Sequence, residues 1–203
     1  MDFTLVYWDT TLKAASQSNK RNWEKHHIRR HFSSQLEQLW KVSPNLRWFD
    51  YGEQQKEAYA KQYERGGVEF VPLVMETLGL VCDLQITLLR PGTPGKIVSD
   101  GGDIDNRIKV LLDALRVPKN TDEMDLKTGE TNPKRIYCLM EDDKLITSIK
   151  VTTDRLLVPE TDEPSEACVF VQVLSGALVL QPLMNSEGFD PRVSDLASAD
   201  KRA

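Results

Sequence analysis

The sequence has few of the features that mark fibrous, membrane-spanning or disulfide-rich proteins. Among its 203 residues are only three cysteines, 11 glycines and ten prolines, and 7% of the residues are aromatic. Its apolar runs are a few residues long, far short of the ~20 that cross a bilayer. The cysteines are widely spaced and lack a CxxC pair, which argues against a disulfide framework or a cysteine zinc site. Collagen-like, mucin-like and fully disordered classes are excluded, and free thiols are expected.

The N-terminal segment lacks the marks of secretion. Residues 1–9 contain no basic leader and no small-residue cleavage site. We therefore expect a cytoplasmic protein with no membrane partner. Its length allows one sizeable core, so we predict a single domain over residues 1–183 and a disordered polar tail over residues 184–203.

The charge is segregated along the chain. The formal net charge is −5, and residues 159–203 hold eight acids against three bases. Residues 11–50 have the opposite balance, with eight Lys and Arg against three Asp and Glu. Such segregation allows one face to meet phosphate although the whole chain is acidic.

Hydrophobic periodicity predicts an α+β fold with a mixed β-sheet and helices on one face. The expected order is strand, helix, strand, helix, strand, strand, and the last two strands are expected to form a hairpin with a long turn. Residues 45–66 show only weak helical character, and the acidic and polar composition of residues 121–135 predicts a loop. The predicted elements are strands over residues 3–8, 80–89, 144–158 and 167–181, and helices over residues 19–42 and 104–115.

The helix over residues 104–115 has two distinct faces. An apolar stripe occupies the positions i, i+4, i+7, i+8 and i+11, counted from Ile104. Asp105, Lys109 and Asp113 follow one another at four-residue spacing, so the sequence predicts a polar ladder opposite the stripe.

Acidic residues occur at the start of this helix and again before a later strand. Asp103 precedes the helix and Asp105 begins its first turn, so both carboxylates can point to one spot. Glu141, Asp142 and Asp143 precede the strand that starts near Lys144. Carboxylates from separate elements suit a hard cation such as Mg²⁺, and a nearby lysine would stabilise charge on a phosphoryl group. The combination suggests metal-assisted phosphodiester hydrolysis.

A purely structural interpretation stays open on spacing alone. Aspartate is common at helix N-caps and in first turns, which would account for Asp103 and Asp105. Asp105 and Lys109 also form an ordinary i, i+4 pair. A DxD motif by itself is weak, because nucleotide-sugar transferases also use one to hold a metal.

A longer pattern resembles a known family. Asp103-Ile104-Asp105-Asn106, then Lys109, then Asp113-Ala114-Leu115, and finally Asp142-Asp143 before a strand are similar to the RusA family of Holliday junction resolvases. The resemblance covers roughly residues 80–155. It implies a RusA-like fold and a homodimeric, Mg²⁺-dependent endonuclease, with Mn²⁺ as a substitute, that cuts four-way DNA junctions in recombination and repair.

The resemblance also assigns roles to individual residues. The three metal-binding catalytic aspartates would be Asp103, Asp105 and Asp143, with Asp142 as the alternative member of the pair. Lys109 would be the catalytic lysine, and Asn106 and Asp113 would have supporting roles. The chain departs from the family in the turn at residues 8–12, the insertion at residues 121–135 and the acidic tail. A nuclease for other branched DNA is therefore an alternative.

The first predicted helix supplies most of the basic excess. Its basic side chains are expected to face outward and could meet DNA phosphates, which would make affinity salt-dependent; they could equally form a solvated face. A second hypothesis is therefore a non-catalytic DNA-binding protein. No nucleotide cofactor is expected, because the segment from Pro91 to Lys96 is too short for a P-loop. The candidate DNA-binding residues are Lys20, Arg21, Lys25, Arg29 and Arg30.

Overall fold

The computed structural model describes residues 2–8, 22–43, 61–91, 104–125, 130–159 and 167–174. These residues form an α+β fold with two helices and two mixed sheets, in agreement with the predicted class. The strands are β1 (Phe3–Tyr7), β2 (Glu64–Arg65), β3 (Val68–Val74), β4 (Cys82–Arg90), β5 (Arg135–Met140), β6 (Ile146–Arg155) and β7 (Cys168–Leu174). The helices are α1 (Asn22–Val42) and α2 (Ile104–Leu115).

The larger sheet carries the main core. Its strand order is β1-β7-β4-β6, with β6 parallel to β4 and the other neighbours antiparallel. Along β4 the buried positions are Cys82, Leu84, Ile86 and Leu88, which alternate with half-buried ones, as the sequence pattern predicts. This buried face joins one apolar cluster with Phe32 of α1 and Leu111 of α2.

The predicted hairpin between the last two strands is wrong. β6 and β7 both exist, but β4 lies between them: β6 pairs with one side of β4 and β7 with the other. β6 runs parallel to β4 and β7 antiparallel to it, so the two strands are antiparallel to each other but are not neighbours. Sequence spacing could not distinguish these two arrangements.

A second sheet replaces the predicted single one. It has the order β2-β3-β5, with β2 and β3 antiparallel and β3 and β5 parallel. Arg65 pairs with Val68, so Gly66 and Gly67 form a two-residue turn with φ of 57° and 79°. Positive φ at both positions explains the two glycines, and the Gly-Gly pair is the signal by which this hairpin could have been predicted.

The helices agree with prediction more closely than the strands do. α2 spans the predicted residues, and residues 22–42 of the first predicted helix form α1. On α1 the side chains of Ile28, Phe32 and Leu36 are buried, as their spacing predicts. Among the described residues, no helix is both long and apolar enough to span a membrane.

The two edges of the larger sheet differ. At the β1 edge, Gln35 of α1 accepts a hydrogen bond from the Val6 amide at 2.9 Å and donates one to the Val6 carbonyl at 2.7 Å. β6 is the opposite edge of the described sheet and is exposed along most of its length. Helix side chains therefore satisfy the backbone at the β1 edge, whereas no strand within the described ranges pairs with the outer side of β6.

The cysteines are free thiols, as expected: Cys82 and Cys138 are buried and Cys168 is half-buried. Several predicted features lie outside the described residues. Among them are the disordered tail over residues 184–203, the turn at residues 9–12, most of the segment over residues 45–66 and the central part of the insertion at residues 126–129.

Candidate functional site

One face of α2 carries the candidate catalytic side chains. At 3.6 residues per turn, Asp105, Lys109 and Leu112 lie within about 60° of one another around the helix. Asp105 and Lys109 are exposed and Leu112 is half-buried. Asp105 accepts a hydrogen bond from the backbone amide of Asn106 at 2.8 Å, so one of its carboxylate oxygens faces the helix start.

A pocket opens between this helix and the start of β6. Its volume is about 440 Å³, and its wall combines side chains from both elements. Leu112 of α2 and Asp143 before β6 both line it. Asp105 and Lys109 are not among the lining residues, but they lie about 10 Å and 5 Å from Leu112 along the same face of α2. The lining residues are Leu112, Asp143, Lys144, Ile146, Thr147, Ser148 and Ile149.

Backbone contacts fix the position of the acidic pair. β5 ends at Met140, whose carbonyl accepts the Val117 amide at 3.1 Å just after α2. The amide of the next residue, Glu141, donates to the Val74 carbonyl at 2.9 Å. The chain after β5 is thereby held against the end of α2 and against β3 before it turns into β6.

Asp142 and Asp143 have different roles in the short 3₁₀ turn Asp143–Leu145. Asp142 is its N-cap and accepts the Lys144 amide at 3.0 Å. This backbone hydrogen bond holds the pKa of the Asp142 carboxyl below its ordinary value. Asp143 is exposed and lines the pocket. Asp142 is thus a capping residue, and Asp143 is the aspartate of the pair that lines the pocket.

Two polar side chains on the pocket wall are held by acids from other elements. Lys144 forms an ion pair with Glu76, which lies between β3 and β4, and Glu76 raises the pKa of Lys144. Thr147 donates its hydroxyl hydrogen to the carboxylate of Asp83 on β4. These contacts restrict the positions of both side chains.

The donor set suits a hard cation in type. Carboxylate oxygens are the ligands that Mg²⁺ prefers, and Asp105 and Asp143 supply them from two elements. Asp103, the third expected ligand, lies outside the described residues. Within the part of the chain that the structure describes, no three His, Cys, Asp or Glu side chains are grouped closely enough to hold a metal.

Asp113 does not extend the predicted polar ladder. It is 9% exposed, and its carboxylate pairs with Lys25 at 2.7 Å and with Arg116 at 2.8 Å. Burial alone would raise its pKa, but the hydrogen bonds and charges of Lys25 and Arg116 outweigh burial and hold the pKa below its ordinary value. The expectation that Asp113 lies on an outer face is wrong. Its contacts join α2 to α1.

Arg29 is also misplaced by the sequence pattern, because it faces the core instead of solvent. It is 1% exposed, and its guanidinium donates to the carbonyls of Asp113 at 2.8 Å, Arg116 at 3.1 Å and Glu123 at 3.3 Å. Arginine is seldom fully buried unless its donors are used in this way. Because its guanidinium binds these carbonyls, Arg29 holds α1 against the end of α2. The prediction that Arg29 belongs to an outer basic face is wrong.

The other candidate DNA-binding residues differ in their surroundings. The Lys25 side chain is 21% exposed and paired with Asp113, whereas Arg30 is 31% exposed and pairs with Glu130 at 2.9 Å. Lys20 and Arg21 lie outside the described residues. Contact of α1 with DNA stays a prediction.

The sequence pattern did not identify most of the pocket wall. Several lining residues follow the acidic pair closely in the sequence, and this proximity is the only sign by which they could have been predicted as pocket residues. They are Lys144, Thr147, Ser148 and Ile149. Leu112 was assigned to the apolar stripe, although it lies at the stripe's margin next to Lys109.

Comparison of the chain with family models, curated proteins and solved structures finds no match.

Proposed function

We propose that this protein is a Mg²⁺-dependent endonuclease that cleaves branched DNA, of the RusA type that the motif resembles. The observation that supports it best is the shared pocket: Leu112 of α2 and Asp143 before β6 line one cavity. Asp105 and Lys109 occupy the same face of α2 as Leu112. Asp105 and Lys109 lie about 10 Å and 5 Å from Leu112 along that face. Their position on the pocket-facing side of α2 supports a site shared with Asp143.

The proposed chemistry follows from the side chains. Asp105 and Asp143, with Asp103, would hold the metal, which supplies Lewis-acid polarisation of the phosphodiester and activation of water when bound. Lys109 lies one helical turn beyond Asp105, where its ammonium group would neutralise charge that builds on the phosphoryl oxygens. Asp142 would act indirectly, since its cap fixes the turn that presents Asp143.

We propose a four-way junction as the substrate and a homodimer as the active form. Symmetric cleavage of a two-fold junction requires two sites related by the same symmetry, which a closed dimer provides. Light scattering on the free protein and on its junction complex would measure the oligomeric state.

The decisive experiment is cleavage of a synthetic four-way junction with and without Mg²⁺. Wild-type protein should cleave it only with the metal, and the Asp105→Asn variant should lose at least about 100-fold in rate while it still binds the junction. Asp122→Asn is the matched control, because Asp122 is also exposed but lies on a different element. Flap, fork and duplex substrates in the same assay would define the selectivity.

Different outcomes separate the candidate functions. Junction binding without cleavage at any Mg²⁺ or Mn²⁺ concentration would contradict the nuclease proposal and leave a non-catalytic DNA-binding protein. Preferred cleavage of flaps or forks would replace the junction as substrate. Full activity of Asp105→Asn would overturn the assignment of the site.

A further inference from the structure

The pocket beside Asp143 has more apolar wall than a metal site requires. Leu112, Ile146 and Ile149 provide this wall, whereas hard cations are bound by oxygen ligands alone. Lys144 and Ser148 complete the polar side of the same cavity. A cavity with an apolar wall and a few convergent polar groups is the usual form of a site for an organic ligand.

We infer that this pocket binds one nucleotide of the DNA substrate, next to the phosphodiester that is cleaved. This inference rests on the proposed function. The nucleotide's base would pack on the apolar wall, and its phosphate would meet the ammonium group of Lys144. The pocket is shallow and open to solvent, and its volume of about 440 Å³ falls within the roughly 300–1,000 Å³ typical of small-molecule sites.

Lys144 supplies the cationic group at the pocket; Glu76 pairs with it and Glu141 and Asp142 lie near it, so a phosphate there would have to displace the Glu76 carboxylate. Lys144 follows Asp143 directly, so an anion that it binds would lie close to the proposed metal ligand. Its ion pair with Glu76 holds it at the cavity while its side chain stays 56% exposed. A nucleotide that turns out of the helical stack can place its base against an apolar surface in this way, at the least cost where the base is mismatched or already unpaired.

Ile149 permits a closely matched test. Ile149 lies opposite Leu84 in the β4–β6 register, and Val151 lies opposite Ile86. Ile149 and Val151 therefore belong to the same face of β6. Their exposures are similar, at 42% and 38%. Only Ile149 of the two lines the pocket. Val151 is therefore a control for strand propensity and apolar exposure.

The first experiment measures junction binding and cleavage by Ile149→Trp and Val151→Trp. Filling the pocket should raise the Kd of the Ile149→Trp variant for the junction about tenfold, and should change its preference for the nucleotides beside the cut. Val151→Trp should resemble wild type. Circular dichroism would establish that both variants are folded. Equal behaviour of the two variants, with wild-type cleavage intact, would overturn the inference and leave the proposed function standing.

A second measurement does not depend on cleavage. Titration of deoxyadenosine monophosphate into protein with labelled isoleucine methyl groups should shift the NMR signals of Ile146 and Ile149 and leave that of the core residue Ile28 unchanged. The Lys144→Gln variant should weaken these shifts, whereas Lys150→Gln, which is exposed on the same strand, should not. Absence of selective shifts would overturn the inference. Selective shifts in a protein that cleaves no DNA would support a nucleotide site and reject the nuclease.

Discussion

The ammonium group of Lys25 on α1 lies 2.7 Å from a carboxylate oxygen of Asp113 on α2. Asp113 also binds Arg116, and Arg116 in turn pairs with Glu123 at 3.1 Å. The sequence pattern predicts that Lys25 contacts DNA and that Asp113 belongs to a polar ladder on α2, opposite its apolar stripe. The ion pair instead connects the two helices and sets the position of α2, which carries Asp105 and Lys109.

Replacement of Asp113 by asparagine should destabilise the fold. The variant leaves Lys25 without its anion and removes one of two acids from the nearly buried Arg116, which we expect to cost about 3 kcal/mol in free energy of unfolding. Urea denaturation at pH 7 measures the loss. Glu37→Gln is the control, because Glu37 forms only an exposed i, i+4 pair with Lys41 and should cost less than about 0.5 kcal/mol. Similar costs for both variants would contradict the structural role of Asp113.

Arg29 and Arg30 are neighbours in sequence and should respond differently to substitution. Arg29→Met leaves two buried carbonyl groups and one partly buried one without their donor and should cost about 3 kcal/mol of stability. Arg30→Met should change stability by less than about 1 kcal/mol. If α1 contacts DNA, Arg30→Met should also reduce the slope of log K against log salt by about one, whereas Arg29→Met should leave it unchanged. The opposite pattern would mean that Arg29 turns outward to meet phosphate.

The sequence predicts elements well where one side of the chain is buried. The apolar stripe of α2 and the alternation along β4 each mark a single buried face, so their periodicity predicts the element and its orientation. β5 was missed because Cys138, Leu139 and Met140 are all buried in succession and show no alternation. Strand order was beyond reach, since the pairing of β4 with both β6 and β7 depends on contacts distant in sequence.

The candidate site was only partly predictable for a related reason. Exposed charges such as Asp105, Lys109 and Asp143 occur in a recognisable motif and lie where a helix or strand begins. Arg29 and Asp113 are equally charged, but their burial depends on partners about 85 residues away, which the local pattern does not contain. Polarity predicts exposure only when no such partner exists.

Acid should destabilise the protein through His26. This side chain is fully buried, its Nδ1 accepts a hydrogen bond from Arg29, and its Nε2 therefore carries the proton and donates to Asn132. Burial lowers its pKa from 6.5 to about 4, with the positive charges of Arg29 and Arg30 acting in the same direction and Asn132 and Glu130 opposing. Between pH 6.5 and 4 the unfolded chain binds the proton and the folded chain does not, so stability falls as the pH falls through this range.

The His26→Gln variant isolates this contribution. Wild type should lose at most about 3 kcal/mol from this group between pH 7 and pH 4, in addition to the losses from carboxylates. The variant shares those carboxylates, so the difference between the two unfolding free energies measures His26. A difference that stays constant with pH would contradict the prediction.

Gln35 should stabilise the exposed edge of β1. Its side-chain amide accepts from the Val6 amide and shares the Val6 carbonyl with His31 Nε2, which lies 3.2 Å from it. Gln35→Ala would leave the Val6 amide to water, at a cost of about 1 kcal/mol. Hydrogen exchange at the Val6 amide should accelerate in the same variant. Gln38→Ala is matched in residue type and helix, but Gln38 is exposed, so its effect should be within about 0.5 kcal/mol. Unchanged exchange at Val6 in Gln35→Ala would show that the clamp contributes nothing.

Asp142 and Asp143 should differ most clearly when asparagine and alanine variants are compared. Asparagine caps a helix as well as aspartate does, so Asp142→Asn should keep both stability and cleavage, whereas Asp142→Ala should cost about 1 kcal/mol through loss of the bond from the Lys144 amide.

Asp143→Asn keeps the shape of the side chain but removes the charge that the pocket would offer to Mg²⁺. Its cleavage rate should fall at least about 100-fold with little change in unfolding free energy. Rate measurements at saturating Mg²⁺, paired with urea denaturation of each variant, separate the two roles. If Asp142→Asn lost activity while Asp143→Asn kept it, Asp142 would be the metal ligand, and the pocket that Asp143 lines would not be the metal site.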